Sequence, residues 1–110
     1  MPIQIRVEQG HAVVTVSGRL TLGREVELLE TAVAEQLKDG YRKLVIDLGP
    51  LDYADSSGIG TIVSCVTRVK QAGGELRMAG VNARLQRMFK MTGVDALVSI
   101  YPTVAEAAAG

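Results

Sequence analysis

Residues 55–60 read Asp-Ser-Ser-Gly-Ile-Gly, which places a carboxylate, two hydroxyls and two glycines where a predicted loop meets a predicted helix. At a helix N-terminus the first backbone N–H groups lack partners within the helix, and the helix dipole adds partial positive charge. A hydroxyl there can cap the helix, and a phosphate on that hydroxyl would meet the same N–H groups. Capping or the reversible addition of an anion is therefore the chemistry that this segment favours.

Two glycines in the first turn of this helix call for an explanation. Gly58 and Gly60 each lower helix stability by about 1 kcal/mol relative to alanine. Their presence indicates that another group approaches the backbone closely. An alternative interpretation makes Asp55 and the serines simple caps and turn formers, with the glycines packed against a strand. The local sequence favours neither interpretation over the other.

Three enzymatic interpretations of this loop fail on residue type. A P-loop requires a Lys and then Ser or Thr, whereas Gly60 is followed by Thr-Ile. A dinucleotide-binding loop requires three spaced glycines after the first strand, and this loop has two, after the third. A serine nucleophile requires a base oriented by a third group, and the single histidine, His11, is predicted to lie in solvent at a hairpin tip. We therefore expect no enzymatic activity, no catalytic residue and no cofactor.

Composition excludes several further classes of protein. The chain has 110 residues, of which 47% are apolar, and 12 basic residues balance 12 acidic ones. This balance argues against binding to nucleic acid, and a single cysteine, Cys65, excludes a disulfide framework or a cysteine metal site. No apolar run approaches the ~18–20 residues of a membrane span, and the first residues do not show a basic-then-apolar pattern, so we expect no leader. We expect one domain over residues 1–110, cytoplasmic and not inserted into a membrane, with Cys65 as a small buried filler.

Hydrophobic periodicity predicts five strands and about four helices. The predicted strands are 3–9, 12–16, 44–48, 75–79 and 98–101. The first helix is predicted from the apolar stripe Val26–Leu37, and the second runs from just after Asp55 up to Gly73. The third is predicted between a cap at Asn82 and a stop at Gly93, and the fourth begins at a capping box of Thr103 and Glu106. The order predicts an α/β fold: a single domain with a mixed β-sheet, opened by an antiparallel hairpin and continued by right-handed crossovers.

The same patterns predict where individual side chains lie. Ile3, Ile5 and Val7 alternate with polar residues and are expected to face the core. Gly10 and His11 are expected at the centre of the hairpin turn. Thr61 is expected on the outer face of its helix. Met91 lies off the inward stripe of the third helix, which leaves it either exposed or covered by the C-terminal helix, and we expect the second.

Residues 44–60, Leu-Val-Ile-Asp-Leu-Gly-Pro-Leu-Asp-Tyr-Ala-Asp-Ser-Ser-Gly-Ile-Gly, resemble the signature of the STAS domain, a family named for sulfate transporters and anti-sigma factor antagonists. Residues 16–20 resemble the family's Gly-x-Leu after the hairpin. Residues 72–76 and 91–95 resemble its second helix-to-strand turn and its third-helix ending. The resemblance covers about residues 3–106 in order and implies a STAS-like fold.

This resemblance implies a switch protein. In stand-alone members similar to this chain, a serine kinase that doubles as an anti-sigma factor phosphorylates the first serine after the aspartate. The unphosphorylated antagonist binds that kinase and frees the sigma factor, and a PPM-type phosphatase resets the cycle. Carried over by position, the phosphorylated residue is Ser56. The implied partner-binding residues are Asp55, Ser57, Gly58 and Ile59.

Thr21 departs from the family pattern, because many antagonists carry an Asp at this place. The resemblance implies that this position belongs to the kinase-facing surface. The alternative, favoured by the turn propensity of threonine, is that Thr21 is a simple turn or cap residue.

The family also leaves a second function open. STAS chains serve as scaffold subunits of stress-sensing complexes and as cytoplasmic subunits of lipid or anion transporters.

Charge is unevenly distributed along the chain. Residues 21–40 carry five acidic and two basic side chains, whereas residues 66–92 carry six basic side chains and one acidic one. Such asymmetry is typical of solvated helix faces. The alternative is a bipolar surface that docks a partner of opposite pattern.

Overall fold

A computed structural model describes residues 3–109. In chain order the elements are β1 (Ile3–Glu8), β2 (His11–Val16), β3 (Gly18–Leu20), α1 (Arg24–Lys38), β4 (Lys43–Asp47), β5 (Leu51–Ala54), α2 (Ser56–Gln71), β6 (Glu75–Ala79), α3 (Ala83–Thr92), a 3-10 turn (Val94–Ala96), β7 (Ser99–Tyr101) and α4 (Val104–Ala107). Five strands form one sheet in the order β1-β2-β4-β6-β7, with β1 antiparallel to β2 and the other pairs parallel. The predicted mixed sheet with an opening hairpin and four helices is confirmed.

The core lies on one face of this sheet. Even-numbered positions of β2, β4 and β6, such as Val14, Ile46 and Met78, face the apolar sides of α1, α2 and α3. Because the apolar stripe of each helix repeats every three or four residues, all three helices can bury it against the sheet. On the opposite face α4 packs Ala107 against Val13 and its neighbours. Within residues 3–109, no helix has the length and apolar composition that a membrane span needs.

Helix ends follow the predicted local signals. The Asn82 side chain accepts a hydrogen bond from the Leu85 N–H at 2.9 Å, and Gly93 ends α3 in the left-handed conformation with φ of 81°. The Thr103 hydroxyl accepts from the Glu106 N–H at 3.2 Å. The predicted helix ends are confirmed. They were predictable because each cap involves residues that lie within one helical turn of each other.

Two short strands were not predicted. β3 and β5 pair in parallel as a separate two-stranded sheet, with Leu20 opposite Ala54. The sequence pattern predicted a loop over the residues of β5. With three and four residues, these strands are too short to show a period of two. Their pairing bears on the site because β5 leads directly to Asp55.

The hairpin prediction was wrong in its details. The turn is centred on Gln9 and Gly10, whose φ values are 50° and 79°, the pair of positive angles of a type I′ turn. His11 is instead the first residue of β2, opposite Glu8, and is 3% exposed. A turn displaced by one residue thus buries a side chain expected in solvent.

Other side chains also differ from their predicted positions. Ile5 and Val7 are exposed, because β1 is an edge strand of which only Ile3 packs against the core. Met91 is exposed, since α4 lies on the other face of the sheet from α3. Thr61 is buried on a helix that contacts α1 as well as β5 and β6. Cys65 is buried as predicted, and burial raises the pKa of its thiol to about 12.

Candidate functional site

The start of α2 lies at the edge of the sheet where the parallel strands end. Open α/β sheets place their binding sites at this edge. Here β5 delivers the chain to Asp55, whose N–H donates to the Leu20 carbonyl at 3.2 Å. The N-terminus of α2 is therefore held against the end of β3.

Asp55 caps α2 and ties it to the turn before α1. Its Oδ1 accepts from the Gly58 N–H at 2.8 Å, and its Oδ2 accepts from the Leu22 N–H at 3.1 Å. Hydrogen bonds from Gly58 and then Leu22 lower the pKa of Asp55 below the ordinary value of 3.8. The side chain is ionised at neutral pH, and both of its oxygens are engaged in positioning the backbone.

Ser56 is the first residue of α2, and its side chain is exposed. The adjacent Ser57 is half-buried. Because Asp55 provides the cap, the Ser56 hydroxyl is not needed for that role. An anion added to this hydroxyl would lie at the positive end of the helix dipole.

The two glycines of the first turn meet different surroundings. A Cβ added at Gly58 would overlap the carbonyl oxygen of Leu20, so the close approach expected at this position comes from the protein's own β3. A Cβ added at Gly60 would meet no atom of the described residues within 4 Å. Gly58 thus matches the packing alternative, whereas Gly60 leaves an open surface. Ile59, between them, is buried in the core.

The turn between β3 and α1 lies beside this helix start. Thr21 is half-buried, and its hydroxyl donates to Glu25 Oε1 at 3.4 Å. It does not cap α1, whose N-cap is Gly23. Leu22 is 76% exposed although its N–H is held by Asp55. Sequence reasoning missed Leu22; the signal was an apolar residue in a turn, outside the apolar stripe of α1.

The structure therefore divides the six predicted site residues by their accessibility. Ser56 is accessible, Ser57 and Thr21 lie at the margin, Asp55 positions the backbone, and Gly58 and Ile59 are buried beneath the surface. Leu22 adds an exposed apolar side chain. Among residues 3–109, no group of three His, Cys, Asp or Glu side chains is arranged to hold a metal ion.

A mixed sheet with one layer of three helices, and a helix start held by an aspartate cap, define an α/β domain of STAS architecture. The model of the STAS domain family matches residues 2–107. The chain belongs to this family.

Two relatives show how far the sequence similarity extends. The anti-sigma-B factor antagonist of Listeria monocytogenes is 30% identical over 103 residues, which cover 91% of this chain and 90% of that protein. A protein of Thermotoga neapolitana, named as a candidate anti-sigma factor antagonist, is 34% identical over 73 residues. That alignment covers 66% of this chain and 65% of the relative, just under two thirds of its length.

Two solved structures share the fold. A candidate anti-sigma factor antagonist of Thermotoga maritima superposes with a TM-score of 0.86 at 24% identity, covering 96% of this chain and 90% of that one. The Bacillus cell fate determinant SpoIIAA in its phosphorylated form gives a TM-score of 0.74 at 19% identity, covering 96% and 95%. At these identities the two structures establish the fold alone.

Proposed function

We propose that this protein is an anti-sigma factor antagonist and that phosphorylation of Ser56 switches it off. The unphosphorylated form binds an anti-sigma factor serine kinase and frees the sigma factor, and a PPM-type phosphatase restores it. The observation that carries the proposal is the exposed Ser56 hydroxyl at the start of α2. The names of the sequence relatives support the antagonist role. The proposed partners imply a cytoplasmic protein.

The fold can tolerate a phosphate at Ser56. The phosphate adds about −1.5 to −2 charges and three acceptor oxygens. The dipole and the N–H groups of the first turn favour an anion at this end of the helix. Since Asp55 keeps its own bonds to Gly58 and Leu22, the cap does not depend on the hydroxyl being free.

Although the fold can tolerate the phosphate, binding of the kinase would be weakened by it. In our proposal the kinase contacts Ser56, the exposed Leu22 and the open backbone at Gly60, with Ser57 and Thr21 at the margin. Gly58, Ile59 and Asp55 hold this surface in shape from below. A phosphate would bring an unpaired charge into the interface next to the ionised Asp55. Desolvating such a charge costs several kcal/mol, whereas a hundredfold loss of affinity needs only about 2.7 kcal/mol.

The site of modification is tested with the kinase of the same cell and ATP. Mass spectrometry should find one phosphate, on Ser56 and not on its neighbour. Ser57→Ala should be modified like the wild type, and Ser56→Ala should not be modified. Phosphate on another residue, or unchanged labelling of Ser56→Ala, contradicts the proposal.

The effect on binding is tested by calorimetry with the same kinase. We expect Ser56→Asp to weaken binding by about 100-fold. Ser99→Asp is the matched control, because Ser99 is also an exposed serine but lies on β7, away from the start of α2. Leu22→Ala should weaken binding by about tenfold or more, whereas Met91→Ala, at another exposed apolar residue, should not. Equal loss of affinity in Ser56→Asp and Ser99→Asp would exclude a specific switch at Ser56.

A further inference from the structure

A groove runs along the sheet edge opposite the hairpin, between α3 and β7. It is lined by six residues: Ala83, Gln86, Arg87, Lys90, Asp95 and Ile100. A second concavity, lined by residues 95–101, continues it along β7. None of residues 55–60 lines either concavity, so this surface is distinct from the one proposed to bind the kinase.

The α3 wall of the groove is positively charged. Arg84, Arg87 and Lys90 are exposed and recur every third residue, which places them along one side of the helix. Ion pairs within residues 3–109 join Arg6 to Glu8 and Glu75 to Arg77, and neither pair includes a cation of α3. Like charges at this spacing destabilise a helix slightly. Asp95 is the acidic residue that lines the groove.

The floor of the groove combines an apolar side chain with an open strand edge. β7 is the last strand of the sheet, so it pairs on one side, with β6. The Tyr101 carbonyl accepts from the Gly80 N–H at 3.0 Å, so the main chain of Tyr101 faces β6. Main-chain groups alternate along a strand, and the N–H and C=O of Ile100 therefore point to the open side. The Ile100 side chain is half-buried, and Leu97 is exposed nearby.

We propose that this groove binds an extended acidic peptide of a partner protein, which adds a strand to β7. Main-chain hydrogen bonds to Ile100 supply a general affinity for extended chains, and pockets for alternate side chains supply selectivity. Apolar side chains of the peptide lie on Ile100 and Leu97, while its carboxylates face Arg87 and Lys90. Because Ile100 lies on the same face of the sheet as α3, both kinds of side chain occupy every second position of the added strand. A nucleic acid or an anionic lipid surface would use the cations but neither the strand edge nor the apolar floor.

The test uses a short fluorescent peptide in which every second residue is Thr and the residues between are Glu and Val in turn, so that Glu and Val share one face of the strand. Binding is followed by anisotropy at low salt. A peptide with Lys in place of Glu is the charge control. We expect the acidic peptide to bind and the basic one not to bind. The double variant Arg87→Glu/Lys90→Glu should weaken binding at least about tenfold. Lys38→Glu/Lys43→Glu, which reverses two exposed cations outside the groove, should bind like the wild type.

The hydrogen-exchange rate of the Ile100 amide tests strand addition itself, because attraction between charges alone would not slow it. The Ile100 amide should exchange more slowly when the acidic peptide is bound. Unchanged exchange at Ile100, equal binding by both double variants, or tighter binding to a single-stranded oligonucleotide or to anionic vesicles than to the peptide overturns the proposal. Ser56→Asp should bind the peptide like the wild type, so failure of this proposal and failure of the kinase switch are told apart.

Discussion

The first turns of α2 and α3 use nearly the same hydrogen bonds. Asp55 Oδ1 accepts from the N–H three residues ahead at 2.8 Å, and Asn82 Oδ1 does the same at 2.9 Å. Each cap also reaches a neighbouring segment with its second polar atom. Asp55 Oδ2 accepts from the Leu22 N–H at 3.1 Å, and Asn82 Nδ2 donates to the Leu51 carbonyl at 3.3 Å.

The two helix starts differ in the residues that come after the cap. After Asp55 comes an exposed serine and then Gly58, packed against the backbone of Leu20. After Asn82 comes Ala83, which has no hydroxyl to modify. Capping and location at the carboxyl ends of the strands are thus shared properties of the fold. The accessible hydroxyl and the close contact with β3 distinguish the start of α2 from the start of α3.

The largest expected effect comes from Gly58→Ala. Because the added Cβ overlaps the Leu20 carbonyl, either α2 or β3 must move. We expect the free energy of unfolding to fall by about 3 kcal/mol, measured by urea denaturation. Ala83→Ser, which gives α3 the residue type found at the start of α2, should change it by less than about 0.5 kcal/mol. A loss under about 1 kcal/mol for Gly58→Ala would show that the contact with Leu20 is not tight.

Removing each cap in turn tests whether the two helix starts are equivalent. Asn82→Ala should lower the free energy of unfolding by about 1 kcal/mol, the usual cost of losing an N-cap. Asp55→Ala should destabilise at least as much, since it also releases Leu22 from its hydrogen bond. Thermal melts of both variants provide the comparison. A clearly smaller loss for Asp55→Ala would mean that the bond to Leu22 contributes nothing.

The two caps should also differ in their response to pH. The pKa of Asp55 is lower in the folded protein than its ordinary value of 3.8, so ionised Asp55 stabilises the fold above that value. This contribution is lost as the pH falls through the folded pKa. The stability gap between wild type and Asp55→Asn should therefore shrink on acidification, measured by urea denaturation at pH 7 and about pH 3. The gap between wild type and Asn82→Ala should change less, and equal changes would contradict the assignment to Asp55.

The smallest effect is expected at Gly60. Its added Cβ meets none of the described atoms, so Gly60→Ala should raise the free energy of unfolding by up to about 1 kcal/mol through helix propensity. The same variant should weaken kinase binding if the partner approaches this backbone, and calorimetry measures that effect. Destabilisation instead of stabilisation would show that this surface is not open.

Much of the fold was predictable from local patterns. The strands at 44–48 and 75–79 and the cap at Asn82 were found because short-range periodicity and capping chemistry identify them. His11, Met91 and Thr61 were misplaced, because their burial depends on elements distant in sequence. Phosphorylation of Ser56 stays a prediction from the resemblance, whereas the cap at Asp55 was predictable from its place before a helix. Leu22 and the Gly58–Leu20 contact required the pairing of β3 with β5.

From the order of residues alone came an α/β domain with a capped helix that opens on Asp-Ser-Ser-Gly. Those features depend on interactions among residues a few positions apart, which the local chain dictates. Only tertiary structure decided that Ser56 is accessible, that Leu22 lies beside it, and that Gly58 and Gly60 have opposite surroundings. Asp55 and Leu22 are 33 positions apart, and such a contact exists only once two short strands have paired.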